Sequence, residues 1–203
     1  MDTSSLDFAL AVADWRLRVA RIYATVRAAT DPAGAHRQWV EARDELFASH
    51  AASPILDRAS FTGLDVAPYD PALRFELELR AAAEPAQLSL ATDGDHVTAM
   101  TRIGYVELPD PLNATLDVWW LEQYAGGLFL PVRDGSAGKT SYGGGRYALD
   151  TAKGADLGGS SGSLVLDLNF LYHPSCRYDP EWQCPLAPIG NTFSAPVLAG
   201  EQL

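Results

Sequence analysis

Arg74-Phe75-Glu76-Leu77-Glu78-Leu79-Arg80 alternates charged and apolar side chains without a break. Successive side chains of a strand point to opposite faces, so Phe75, Leu77 and Leu79 share a core face and the four charges face water. The period of two continues downstream. Residues 87–91, the Asp93-Gly94 turn and residues 96–107 read as a hairpin, and residues 114–121 and 127–132 add two strands. A further strand, 146–151, leaves the glycine run Gly143-Gly144-Gly145, and a last one, 163–172, puts Leu164, Leu166, Leu168, Phe170 and Tyr172 on one face and Asp167 and Asn169 on the other. Upstream the period is that of a helix. Phe8, Val12, Trp15, Val19, Ile22 and Val26 form one stripe over residues 5–29, and Asp31-Pro32 starts a second helix that buries Trp39, Val40, Leu46 and Phe47 before His50 and Ser53-Pro54 end it. The pattern predicts an α+β fold, with two N-terminal helices packed on a curved, mostly antiparallel, barrel-like sheet and a Pro-rich C-terminal tail. Residues 1–203 form a single domain in this reading, with a helical segment at 1–52, a β-rich body at 70–172 and the tail at 173–203.

The chain has 203 residues, 47% of them hydrophobic and 20% charged, which excludes wholesale disorder and a disulfide-dense miniature fold. With 15 Lys and Arg against 26 Asp and Glu the net charge is -11, a balance that repels phosphate backbones and anionic lipid, so neither nucleic acid nor membrane is an expected partner. No apolar run has the length of a membrane span. Asp2 and Asp7 precede or interrupt the first apolar stretch with no basic residue before it, unlike a secretory leader, and a cytoplasmic protein is expected.

Gly138-Lys139-Thr140 ends like a phosphate-binding loop, but Arg133 stands where that motif needs glycine and no helix follows. Nor does the glycine run have dinucleotide-binding spacing, and no cofactor is expected. Its glycines suit a bulge or a close backbone approach, or the bare wall of a pocket whose polar groups come from Arg133, Asp134, Tyr142, Arg146 and Tyr147. Cys176 and Cys184 lie in a segment with five of the 13 prolines. They suit a local disulfide clip or two buried thiols; with His173 they offer three soft-metal ligands with one matching spacing, a weak metal signal, and a catalytic thiolate is the last reading. His36, His50 and His96 are expected to be solvated. His173 ends the last strand beside Asn169 and Tyr172, where a general acid or base would sit if the tail closes over a pocket. No Gly-x-Ser-x-Gly occurs to activate a serine.

Leu130-Pro131-Val132-Arg133-Asp134, the segment from Tyr142 through the three glycines to Arg146-Tyr147, Asp167-Leu168-Asn169-Phe170, Pro174-Ser175-Cys176, Cys184-Pro185-Leu186-Ala187-Pro188 and Ala199-Gly200-Glu201 together resemble the bacterial family known as domain of unknown function 1684. The resemblance covers about residues 36–201 and implies kinship without a reaction. In that family's pattern threonine-tyrosine precedes the glycines, asparagine-proline precedes the first cysteine, and proline, any residue, glutamate and asparagine follow the second. Here these places hold Ser141-Tyr142, His173-Pro174 and Pro188-Ile189-Gly190-Asn191. An imidazole in place of an amide gains a proton-transfer group, and a glycine in place of glutamate suggests room for a larger or less cationic ligand.

Two functions follow as expectations. The first is an enzyme acting on a small organic molecule by acid-base chemistry, with His173, Tyr142 and Asp167 catalytic and Arg133, Asp134, Arg146, Tyr147, Asn169, Tyr172 and Asn191 binding substrate, without metal or cofactor. The second is a non-catalytic small-ligand-binding or partner-interaction module, in which the same residues form a static hydrogen-bond network.

Overall fold

The computed structural model describes residues 5–91, 97–122 and 124–203. It opens with α1 (Ser5–Ala28) and α2 (Pro32–Ser49). Pro32 fits the first turn of α2 because it has no amide to satisfy there, and Asp31 caps the helix by accepting from the Ala33 amide at 3.1 Å. The strands are β1 (Arg74–Glu78), β2 (Arg80–Ala91), β3 (Val97–Leu108), β4 (Ala114–Leu121), β5 (Leu128–Val132), β6 (Arg146–Asp150) and β7 (Ser163–Asp167). All ladders are antiparallel. Five strands run in the order β2-β3-β4-β5-β6, and β1 pairs with β7 in a separate two-stranded sheet. The Asp93-Gly94 turn and His96 lie outside the described residues.

The sheet does not close into a barrel, because the chain leaves strand geometry at Asp167. The strand expected over residues 163–172 stops at Asp167, whose Oδ1 accepts from the Asn169 amide and starts a 3-10 turn at Leu168–Phe170. Of this segment only Tyr172 returns to β6, exchanging two backbone hydrogen bonds with Tyr147. The period of two therefore breaks at Asp167, and Asp167 and Asn169 do not share a strand face.

Strand β4 shows how the core is divided. Ala114, Leu116 and Val118 point into one apolar cluster, with the β1-β7 sheet and Val197 and Ala199 of the C-terminal segment. Trp119 and Leu121 point to the opposite face and pack with Tyr23, Trp39 and Phe170 beneath the helices. Both sides of one strand are covered at different ends, which buries Trp119 and leaves Trp120 39% exposed. Of the expected stripes Val19, Trp39, Leu46 and Phe47 are buried, Val12, Trp15, Ile22, Val26 and Val40 are half-buried and Phe8 remains 46% exposed, while Tyr23, off the stripe, is buried.

Two histidines expected in water are buried. His36 stacks among Trp39, Tyr69 and Phe170, and its Nε2 meets the Asn169 carbonyl at 2.9 Å. His50 follows the last turn of α2, where Nδ1 accepts from the Ala52 amide and Nε2 lies 3.0 Å from Asp14 Oδ2. The end of a helix leaves polar backbone to be satisfied, and an imidazole provides two hydrogen-bonding atoms.

Candidate functional site

Arg146 is wholly buried at the start of β6. Its Nη2 donates to Asp134 Oδ2 at 2.8 Å and to the Val197 carbonyl at 2.9 Å, and Nη1 donates to the carbonyls of Ala199 and Glu201. Asp134 in turn accepts from the amides of Ser136 and Val197. Burial pushes the Asp134 carboxyl upward, but the Arg146 guanidinium and these donors outweigh it, and the net shift is down. This guanidinium fastens the C-terminal segment to the β5-β6 loop and turns no terminal nitrogen toward a cavity.

Beside it lies a second buried pair. Arg43 Nη2 meets Glu201 Oε1, and its guanidinium sits 4.8 Å from the ring centre of Trp39 and 5.0 Å from those of Phe47 and Tyr172. Glu201 Oε2 accepts from the His173 amide at 2.6 Å and from the Tyr178 hydroxyl at 3.0 Å. His173 is 2% exposed. The Tyr142 amide donates to its Nε2 at 3.1 Å, which places the ring proton on Nδ1, 3.6 Å from Glu201 Oε2. Burial lowers its pKa to about 4 despite Glu201, so the ring is neutral.

Asp167, Asn169 and Asn191 are buried in networks of their own, and Arg133 is exposed. Asp167 accepts from Tyr69 and from both the amide and the side chain of Asn169, with Arg74 3.4 Å away. The Asn169 side chain clamps the backbone of Asp70, donating to its carbonyl and accepting from its amide, each at 2.8 Å. Asn191 accepts from the Trp119 indole and donates to the Asp117 carbonyl. Arg133 reaches the Gly143 carbonyl at 2.9 Å. The glycine run serves a close approach: Gly145 has φ +91°, and a Cβ there would lie 2.6 Å from the Val132 carbonyl oxygen. At Gly190 the place of a side chain is taken by the Asp117 carboxylate, 2.1 Å from an added Cβ, so this glycine opens no room for a ligand.

A cavity of about 320 Å³ lies elsewhere, between α1, the sheet and the Cys184 segment. Trp15, Leu121, Phe129 and Trp182 give it apolar walls, and Arg16, Asp150, Lys153 and Cys184 supply charged or ionisable groups. Lys153 Nζ lies 3.4 Å from Asp150 Oδ2 and 5.6 Å above the Tyr147 ring. The Tyr147 hydroxyl donates to the Pro185 carbonyl at 2.7 Å, which positions the residue after Cys184. Both cysteines are free and half-buried. The two thiols are close enough to act on each other's charge, and the backbone at Ser175 and Cys176 acts on the Cys184 sulfur as well. The Cys176 thiol lowers the Cys184 pKa, as do the Lys153 charge and those backbone contacts, against a smaller upward push from burial; the Cys176 thiol is pushed up by the same pairing and by burial. Tyr142 touches the pair from the side of Cys176, and burial and the two thiols raise its hydroxyl.

None of the ten expected site residues lines this cavity; Tyr142 and Tyr147 come nearest, through the cysteines and Pro185. Arg146, Asp134, Tyr142 and His173 share one buried region, whereas Asp167 and Asn169 belong to another network and Asn191 to a third. Among the described residues no three His, Cys, Asp or Glu side chains are grouped to hold a metal, and no helix is long and apolar enough to cross a membrane.

The sequence model of the family described as protein of unknown function DUF1684 matches residues 59–202. The chain belongs to this family. An uncharacterised protein of Haloarcula marismortui, solved in solution by NMR, is 30% identical over 81% of this chain and 90% of its own, with a TM-score of 0.59. No curated protein matches the chain. The DUF1684 match leaves α1 and α2 outside its limits, although α1 gives the cavity Val12, Trp15 and Arg16. Two groups escaped the reading of the sequence with a visible signal. Arg43 lies on the apolar stripe of α2 with Trp39, Leu46 and Phe47, where a lone charge implies a buried partner. Glu201 belongs to a DUF1684 motif in an otherwise apolar C-terminal stretch. Asp150 and Lys153 carried no such signal.

Proposed function

We propose that the protein is an enzyme acting on a small organic molecule by acid-base chemistry, and that its site is the cavity walled by α1 and the Cys184 segment. The observation that carries this reading is the placing of the Cys184 thiol in one cavity wall with Lys153 and Asp150; the Cys176 thiol and the Lys153 charge lower its pKa. A thiol lowered toward neutral pH can take up and return a proton, and a neighbouring cation steadies its charged form. The volume suits a small ligand. Trp15, Phe129 and Trp182 would hold its apolar body, and Arg16 and Lys153 would attract a carboxylate or polarised carbonyl. The proton-transfer role expected of His173 passes to Cys184, because Nε2 of His173 is occupied and the ring faces no cavity.

The non-catalytic reading has its own support, since most of the expected site residues form static hydrogen-bond networks. One experiment separates the two. Small carboxylic and keto acids are screened by ligand-observed NMR, and the binders are assayed for turnover with the native protein and Cys184→Ser. The enzyme reading expects binding within a few-fold for both proteins and a turnover loss on the order of 10²-fold in the variant. Binding without turnover by the native protein would establish the ligand-binding module, and unchanged turnover in Cys184→Ser would remove the thiol from the chemistry.

A further inference from the structure

Cys176 and Cys184 are separated by seven residues, which include Pro180 and form no strand or long helix. Their thiols are free and half-buried, and Ser175, the neighbour of Cys176, lines the same cavity as Cys184; each thiol shifts the other's titration. Cys184 faces the cavity, and Cys176 is absent from its lining and contacts Tyr142. The two positions differ in what reaches them. A molecule entering the cavity meets Cys184 first, with Cys176 already against it.

We propose that Cys176 and Cys184 are a redox pair that closes to an intramolecular disulfide, with Cys184 the sulfur attacked through and Cys176 the one that resolves the intermediate. The oxidant is a low-molecular-weight disulfide. The Cys184 thiolate attacks one sulfur of it, that S–S bond breaks, and one small thiolate leaves. Cys176 gives its proton to the departing thiolate, and its sulfur attacks Cys184, displacing the second small thiolate, which takes up the proton Cys184 lost at the start. Two protein thiols are oxidised by two electrons and one small disulfide is reduced to two thiols. The groups around the pair suit these steps: Arg16, Asp150 and Lys153 share the cavity wall with Cys184, and the Tyr142 and Tyr147 hydroxyls are both influenced by the two thiols. A disulfide needs the sulfurs to close to about 2.0 Å, which asks for a shift within one loop and none in the sheet.

The test uses the full-length reduced protein, oxidised glutathione at neutral pH, alkylation of remaining thiols and intact mass. The native protein is expected to lose two hydrogens and take no alkyl group, and dithiothreitol should restore both thiols. Cys176→Ser should stop with one glutathione on Cys184, while Cys184→Ser should take glutathione at least about tenfold more slowly. Native protein carrying glutathione on both cysteines, or keeping two alkylatable thiols, would overturn the proposal without any variant having to fold. So would faster capture at Cys176. The reaction needs no ligand in the cavity, so its failure leaves the proposed acid-base activity standing, and the failure of that activity leaves the redox pair standing.

Discussion

Arg146 and Lys153 leave the same stretch of chain, one at the start of β6 and the other in the turn after it, and end in opposite surroundings. Arg146 has an anionic partner, three carbonyls and no exposure. Lys153 has one carboxylate, a side chain 38% exposed, and a cavity in front of it. A buried charge left without partners costs the fold several kcal/mol, so a group whose terminal nitrogens are engaged inside the protein offers little to a ligand, even though the buried Nε of Arg146 has no partner. A half-matched group at a cavity costs less to keep and retains hydrogen-bonding capacity. Arg146, His173, Asn169 and Asn191 in the motif-like segments belong to the first kind, and Lys153 and Cys184 at the cavity belong to the second.

This contrast implies its largest effect at Arg146. Arg146→Met is expected to lower unfolding free energy by about 3–5 kcal/mol, because Asp134 would remain buried without its cation and three carbonyls would lose a donor. Urea denaturation measures it. A loss below about 1 kcal/mol would mean that the network is not what fastens the C-terminal segment, and the division between structural and open groups would fail at its strongest point.

His173→Asn carries an intermediate expectation of about 1–2 kcal/mol at pH 7.5, since the shorter amide cannot reach the Tyr142 amide as the imidazole does. The pH dependence identifies the cause. The His173 pKa is about 4 folded against 6.5 unfolded, so between those values the unfolded chain binds a proton that the folded chain does not. Stability is full above about pH 6.5 and falls as pH drops toward 4, with a slope approaching 1.4 kcal/mol per pH unit. His36 is lowered by burial as well and adds a slope of the same sign. The variant should therefore show a shallower loss between pH 6.5 and 4, with the His36 part remaining. Equal slopes in both proteins would show that His173 is not buried as a neutral ring.

How much of this was legible in the chain depended on the range of the interactions. The alternation at Arg74–Glu78, the stripes of α1 and α2 and the capping Asp31-Pro32 are local, and each element lies within a few residues of its expected limits. The turn at Leu168–Phe170 was not legible, because Asn169 is drawn out of strand geometry partly by the backbone of Asp70, far away in sequence. His36 looked like a solvated helix residue for the same reason, its partner being the Asn169 carbonyl. The cavity is assembled from α1, β4, the turn after β6 and the Cys184 segment, none of which has the composition of a site alone. Arg43 could have been flagged from its place on an apolar stripe. Cys184 was noticed, but its difference from Cys176 arises only when the two sulfurs and Lys153 meet.

The smallest stability effect is expected at Lys153, where the functional effect should be plain. Its ion pair with Asp150 is partly exposed, so Lys153→Met should change unfolding free energy by about 1 kcal/mol or less. The same ammonium favours the charged form of Cys184. Removing it takes away one of the groups that favour the thiolate, and the thiol pKa must rise. A higher pKa moves the midpoint of iodoacetamide alkylation at Cys184 to more alkaline pH and lowers the rate at neutral pH, by on the order of threefold to tenfold. Cys176→Ser in the background of both proteins makes Cys184 the only alkylation site, so the profiles report one sulfur. Coincident pH profiles with and without the ammonium would show that Lys153 does not act on the thiol, and would reduce the cavity to an apolar recess with an ion pair at its edge. A displaced profile with nearly unchanged stability would show that a group with little part in holding the fold together tunes the chemistry of its neighbour.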